Sequence, residues 1–259
     1  MTGLEGFMEA HGGLALIGAV AALAAGGFTK GVVGFALPLI ALSLMASFLP
    51  FQVALALLIV PTLASNLAQA LRNGPRAALA SLLRFWRLNL VLGITIALAA
   101  QLVVALPDAF FFALLGVTIT AFGVSQLLGW APHLPEHHVR LVELATGLVA
   151  GFFGGISGVW GPPIVMYLLS RRVPKVEMVR SQSISFLLGS VVLIVAHLKS
   201  GVLNPVTLPV SMLLVLPTFA AMLLGYRVQD RLDQELFRRV TLVVLMVAGL
   251  NLLRRALGG

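Results

Sequence analysis

The sequence predicts an all-α integral membrane protein, an inverted repeat of about 8–10 hydrophobic segments with two glycine-broken or short paired helices. Three observations predict it. The 259 residues are 59% apolar and 10% charged, with a mean hydropathy of +1.05, whereas soluble domains run at roughly 45–50% apolar and about 25% charged. Apolar runs of about 20 residues, the length that crosses a bilayer as helix, succeed one another along the chain. A pattern of glycines and prolines recurs 124 positions further on.

Before the first apolar run the chain carries Glu5 and Glu9 and neither Lys nor Arg. A secretory leader needs a positive start, so the amino terminus is expected to be retained and to lie outside the cell membrane. Apolar segments then fall near 13–27, 31–49, 51–71, 88–106 and 109–129, and again near 141–156, 159–170, 178–198, 205–225 and 236–256. They exceed the roughly 9–11 residues of a barrel strand and do not alternate polar with apolar, which favours helix throughout. Five segments on each side divide the chain into a first membrane repeat, 1–129, and a second, 130–259.

The charge excess of +8, from 17 Lys and Arg against 9 Asp and Glu, suggests nucleic acid in a soluble protein; in a membrane chain it records topology. With the amino terminus outside, one face collects Arg72, Arg76, Arg84, Arg87, Arg140, Arg171, Arg172, Lys175, Arg180, Arg227, Arg231, Arg238 and Arg239. The positive-inside rule makes that face cytoplasmic, as expected for a multi-pass protein of the cell inner membrane. Lys199, Arg254 and Arg255 fall on the other side, and Lys30 stands apart. The chain has no cysteine, which removes disulfides, thiolate metal sites and thiol catalysis.

Residues 13–48 form an apolar stretch interrupted around Gly26, Gly27, Lys30 and Gly31. As one straight helix this stretch would reach about 54 Å, nearly twice a hydrocarbon core of about 30 Å, so a break is expected there. The sixth and seventh segments are short and separated by Gly154, Gly155, Ser157, Gly158 and Gly161. Sliding the chain on itself by 124 positions lays Gly27, Phe28, Gly31, Gly34, Pro38 and Ile40 on Gly151, Phe152, Gly155, Gly158, Pro162 and Ile164. An odd number of segments per half inserts the second copy upside down.

The stretch from Gly26 to Phe35 followed by Pro38, and its partner from Gly151 to Gly158 followed by Pro162 and Pro163, resemble the paired motifs of the TauE/SafE sulfite exporter family, also called the toluene sulfonate uptake permease family. The resemblance covers essentially the whole chain. It implies a small bacterial or archaeal inner-membrane carrier for sulfite, sulfoacetate or related organosulfur anions. Thiosulfate-importing relatives depend on cysteine, so the absence of cysteine speaks against that substrate branch.

The residues themselves point to an anion site. A break exposes backbone N–H groups at the start of the next half-helix, expected near Val32 and near Val159, and the positive end of its dipole adds to them. Irregular backbone at membrane depth has to be surrounded by protein or line a cavity. The candidate substrate-binding residues are Gly27, Thr29, Lys30, Gly31, Gly34, Asn66, Gly154, Gly155, Ser157, Gly158, Trp160 and Ser190. Lys30 is the only positive charge before Arg72, and ionisable groups inside membrane segments are costly. Asn66 and Ser190 are a symmetric pair under the same 124-residue shift. Each has a structural alternative: the glycines as helix-packing positions, Lys30 as a snorkelling anchor, Trp160 in an interfacial belt, and Asn66 and Ser190 as interhelical hydrogen bonds.

His133, Glu136, His137 and His138 bear metal-capable groups but sit in a proline-flanked loop, and neither a metal nor a cofactor is expected. No His-Glu-x-x-His, nucleophile elbow or paired carboxylate appears, which argues against an enzyme. No Asp or Glu sits at the centre of a span, so no carboxylate proton relay is visible. Efflux of an anion from an inside-negative cell gains about 2.3 kcal/mol per charge per 100 mV. The expected activity is therefore export by alternating access. The alternative is proton- or ion-coupled uptake of a sulfonate or small carboxylate. The expected partners are the anion and membrane lipid, not nucleic acid; the oligomeric state stays open.

Overall fold

The computed structural model describes residues 3–71, 74–129, 139–171, 173, 175–229, 243, 246–247, 249–254, 256 and 257. Among them every regular element is helical, and seven stretches are long and apolar enough to cross a membrane. The chain is thus an all-α, multi-pass protein. In order the helices are α1 (Gly3–His11), α2 (Gly13–Val33), α3 (Leu37–Met45), α4 (Phe51–Leu71), α5 (Pro75–Arg84), α6 (Trp86–Ala99, continued by a 3-10 turn to Val104), α7 (Asp108–Leu127), α8 (Val139–Ser157), α9 (Gly161–Ser170), α10 (Lys175–Ser200), α11 (Thr207–Leu213) and α12 (Val215–Gln229). Asn251 and Leu253, in a further helical stretch at 249–254, return to Ser47 and to Gly116 of α7.

Two helices, α1 and α5, lie outside the apolar segments read from the sequence. Both are short, with polar residues on one side; α1 buries Phe7, and α5 starts on Pro75, whose fixed φ suits a first helical turn.

The hydrogen bonds that tie helix ends together define two faces. The Phe51 N–H donates to the Asp108 carboxylate (3.0 Å), the Gln52 amide to the Val103 carbonyl (3.1 Å) and the Gln101 amide to the Ala196 carbonyl (3.3 Å). The start of α4 therefore shares a face with the ends of α6 and α10. On the opposite side Arg84 pairs with Glu177, and Arg87 approaches Glu143 at 3.8 Å. Arg76, Arg84, Arg87, Arg140, Arg171 and Arg180 all belong to this second, basic face, whereas Lys199 and Arg254 belong to the first.

The expected break at Gly26–Gly31 is corrected: α2 runs unbroken through these residues. The chain turns at Gly34 and Ala36, with φ of 83° and 79°, and α3 starts at Leu37 rather than near Val32. The Gly34 N–H closes α2 on the Lys30 carbonyl (2.7 Å), a left-handed glycine stop. In the second half α8 ends at Ser157, Gly158 takes φ 71°, and α9 starts at Gly161, two residues beyond the expected Val159. α2 with α3, and α8 with α9, thus form two helical hairpins.

The glycines inside α2 and α8 serve close packing. A Cβ at Gly27 would collide with the Thr218 carbonyl, and one at Gly31 with the Met222 carbonyl and, at 2.9 Å, with Gly225 Cα, all on α12. In the other hairpin, a Cβ at Gly151 would lie 2.8 Å from the Leu92 carbonyl and one at Gly155 2.7 Å from the Ile96 carbonyl, both on α6. Lipid is as apolar as a leucine side chain, so membrane helices gain by letting backbones approach rather than by hiding apolar surface. Gly31→Val is therefore expected to lower stability by about 1–3 kcal/mol or more, the range for overpacking. The midpoint of thermal unfolding in detergent measures it. Gly13→Ala, where nothing lies within 4 Å of the new methyl, is expected to leave the midpoint unchanged or slightly raised.

Candidate functional site

The turns of the two hairpins meet. Gly158 approaches Pro38, with a Cβ placed at Gly158 only 3.8 Å from that of the proline, and Gly161 approaches the Phe35 ring. Between them lies a small pocket, with room for about one water molecule, lined from the first hairpin by Lys30, Phe35, Ala36, Pro38 and Leu39, from the second by Gly158–Gly161, and from α4 and α10 by Thr62, Asn66 and Phe186. Thr62 is eleven residues from the start of α4 and Phe186 eleven from the start of α10, roughly 17 Å in each case. Because those two helices start on opposite faces, the pocket sits near mid-depth.

Lys30 is 2% exposed. Its ammonium donates to Oδ1 of Asn66, whose Nδ2 donates to the Phe186 carbonyl (3.0 Å) and to Ser190 Oγ (2.9 Å). The amide's orientation follows from these partners, since the reverse would set its NH2 against the ammonium. Ser190 in turn donates to the Phe186 carbonyl. Asn66 and Ser190, placed together by the 124-residue shift, are thus in direct contact across α4 and α10. Among the described residues the ion pairs lie on the basic face, Arg84 with Glu177 and Arg87 with Glu143, and no carboxylate reaches Lys30. Its charge is met by a neutral amide alone. Thr62 adds a buried hydroxyl with no hydrogen-bond partner among the described residues. Ala36 holds a left-handed conformation that costs an L-residue about 1–2 kcal/mol, a strain maintained at the pocket wall.

Of the residues nominated from sequence, Lys30, Asn66, Gly158 and Trp160 line the pocket. Gly34, Ser157 and Ser190 support it: the Gly34 carbonyl accepts from the Gln69 amide (2.7 Å), Ser157 Oγ accepts from the Val159 N–H (3.3 Å) and stops α8, and Ser190 holds Asn66. Gly27, Thr29, Gly31, Gly154 and Gly155 do not reach the cavity. α2 continues two residues past Gly31, which turns Gly27 and Gly31 onto α12, and Gly155 faces α6. Thr29 Oγ donates to the Ala25 carbonyl within α2 (2.9 Å), and Gly154 makes room for Trp160. Trp160 is 2% exposed, which places it in the core and not in an interfacial belt.

Phe35, Ala36, Thr62 and Phe186 were not foreseen. A signal for them existed, since Phe35 with Val159, Ala36 with Trp160 and Thr62 with Phe186 are each 124 apart. Glu143 and His197 are both buried; the His197 ring bonds to the Gly155 carbonyl (3.0 Å) at the end of α8. His133, Glu136, His137 and His138 lie outside the described residues, and among those described no cluster of metal-ligating side chains occurs.

The Lys30 and Asn66 pair can be tested without a ligand. Asn66→Leu leaves a buried ammonium with no partner and is expected to cost about 3–5 kcal/mol. Lys30→Met in the Asn66→Leu background is expected to recover at least half of it. Unfolding midpoints of the two single variants and the double variant measure the coupling.

One family model, described as "Sulfite exporter TauE/SafE", matches residues 18–252. No match is found among curated proteins or among solved structures. The match spans both hairpins, the pocket between them and most of the chain, and the chain therefore belongs to the TauE/SafE family of membrane transporters.

Proposed function

We propose that this transporter exports a small organosulfur anion, sulfite, sulfoacetate or a similar sulfonate, from the cytoplasm by alternating access. The observation that carries the reading is Lys30: a buried cation, met by an amide and not a carboxylate, beside a mid-depth pocket. An ammonium out of water is costly when unneutralised, and an anion in the pocket offsets that cost directly. The starts of α3 and α9 add the positive ends of two helix dipoles. In this reading Lys30 and Thr62 hold the anion and Asn66 positions the ammonium, while Gly34, Ser157 and Ser190 shape the turns behind them.

The two halves are read as inverted repeats. The support is that α2 packs on α12 as α8 packs on α6, with glycines 124 apart at both contacts, and that the Asn66 and Ser190 hydrogen bond joins equivalent positions. The basic face is read as cytoplasmic, in the inner membrane, by the positive-inside rule.

Efflux from proteoliposomes loaded with sulfite, sulfoacetate or isethionate tests the proposal. An inside-negative potential is expected to speed efflux, which continues without a proton gradient. Lys30→Ala removes a charge-assisted contact of about 1.5–3 kcal/mol, roughly ten- to hundredfold in affinity. Unchanged affinity in the folded variant would remove Lys30 from the site. Flux that strictly requires protons at zero potential would replace export with coupled uptake.

A further inference from the structure

The pocket is bounded above and below by equivalent positions of opposite chemistry. From the first face towards the basic face, α4 presents Leu58, Thr62, Asn66 and Gln69, and α10 presents Leu193, Ser190, Phe186 and Gln182. On the basic side Gly34 sits between two glutamines: a Cβ there would lie 3.2 Å from Gln69 Nε2 and 3.4 Å from Gln182 Nε2. On the other side Gly158 sits between two leucines, 3.2 Å from Leu58 Cδ1 and 3.7 Å from Leu193 Cδ2. Gly34 and Gly158, Leu58 and Gln182, and Gln69 and Leu193 are each separated by 124 positions.

The two layers hold water differently. Oε1 of Gln69 and Oε1 of Gln182 are buried without a hydrogen-bond partner among the described residues. Each such group left dry costs about 1–3 kcal/mol, so this layer draws in water. The leucine side chains are fully buried and bring no polar atom; apolar constrictions of this kind exclude water and ions.

We propose that Leu58 and Leu193 form the apolar barrier between the pocket and the first face. Gln69 and Gln182 form the wetted layer through which the anion enters from the basic face. The assignment rests on the reading of the pocket as a transport site. Gln69 and Gln182 are themselves 5% and 2% exposed, so loading requires this polar layer to hydrate and give way, whereas release requires the leucines to part.

The native chain has no cysteine, so single cysteines report without background. A membrane-impermeant methanethiosulfonate reagent is applied to each face of vesicles of known sidedness, with Arg76→Cys and Lys199→Cys marking the basic and the first face. Gln69→Cys and Gln182→Cys are expected to react from the basic face at least tenfold faster than Leu58→Cys or Leu193→Cys react from either face. Adding Leu193→Ser is expected to speed labelling of Leu58→Cys from the first face at least tenfold. Leucine-site cysteines that react from the first face as fast as the glutamine-site ones do from the basic face would overturn the barrier. Either member of each pair suffices if the other fails to fold. Loss of the pattern with Lys30-dependent flux intact overturns the barrier alone; the pattern intact with no anion flux overturns the transport reading alone.

Discussion

A single ammonium kept at membrane depth constrains the rest of this structure. Lys30 is buried beside the mid-depth pocket, and hydrocarbon cannot solvate it. It therefore needs a polar partner on a second helix, and Asn66 of α4 supplies the oxygen. The amide in turn needs acceptors for its NH2, which α10 supplies through Phe186 and Ser190. Three helices from both halves of the chain are thereby fixed in mutual register around one charge. The turns at Gly34 and Gly158 become tolerable in the same place, because irregular backbone survives in a membrane only beside protein or a polar cavity.

Close backbone contact supplies the complementary, apolar half of the architecture. Gly27 and Gly31 let α2 lie on α12, and Gly151 and Gly155 let α8 lie on α6. These contacts clamp the long arm of each hairpin, while the short arms, α3 and α9, begin at the pocket. A clamped arm and a short arm joined at a left-handed turn place strain and polarity at the junction. That junction is where a transporter has to change shape.

Much of this was legible in the sequence, for identifiable reasons. Composition and segment length settle the helical membrane class, because water and lipid select sharply between side chains. The partnership of Asn66 with Ser190 was readable from the 124-residue shift, since internal symmetry carries spatial information that single-residue propensity lacks. The break was placed too early because Gly26, Gly27 and Gly31 look like helix breakers, whereas a glycine facing another backbone stabilises a packed helix. What ends α2 is the left-handed geometry at Gly34 and Ala36, and an alanine gives no warning of it. The opposing roles of Gln69 and Gln182 against Leu58 and Leu193 were hidden for another reason: they depend on which residues flank a turn in space.

The crossed packing of the halves also sets a timetable for biogenesis. The α2 positions Gly27 and Gly31 leave the ribosome about 190 residues before Thr218 and Met222 of α12, which at about 5–20 residues per second is roughly 10–40 s. Throughout that interval the Lys30 helix resides in the insertion machinery or the bilayer with its glycine face uncovered. The Asn66 contact becomes available much earlier, only 36 residues on. The lysine can thus be hydrogen-bonded locally long before the helix is finally clamped, so the polar pair serves as a holding contact for a chain whose architecture closes only near its end.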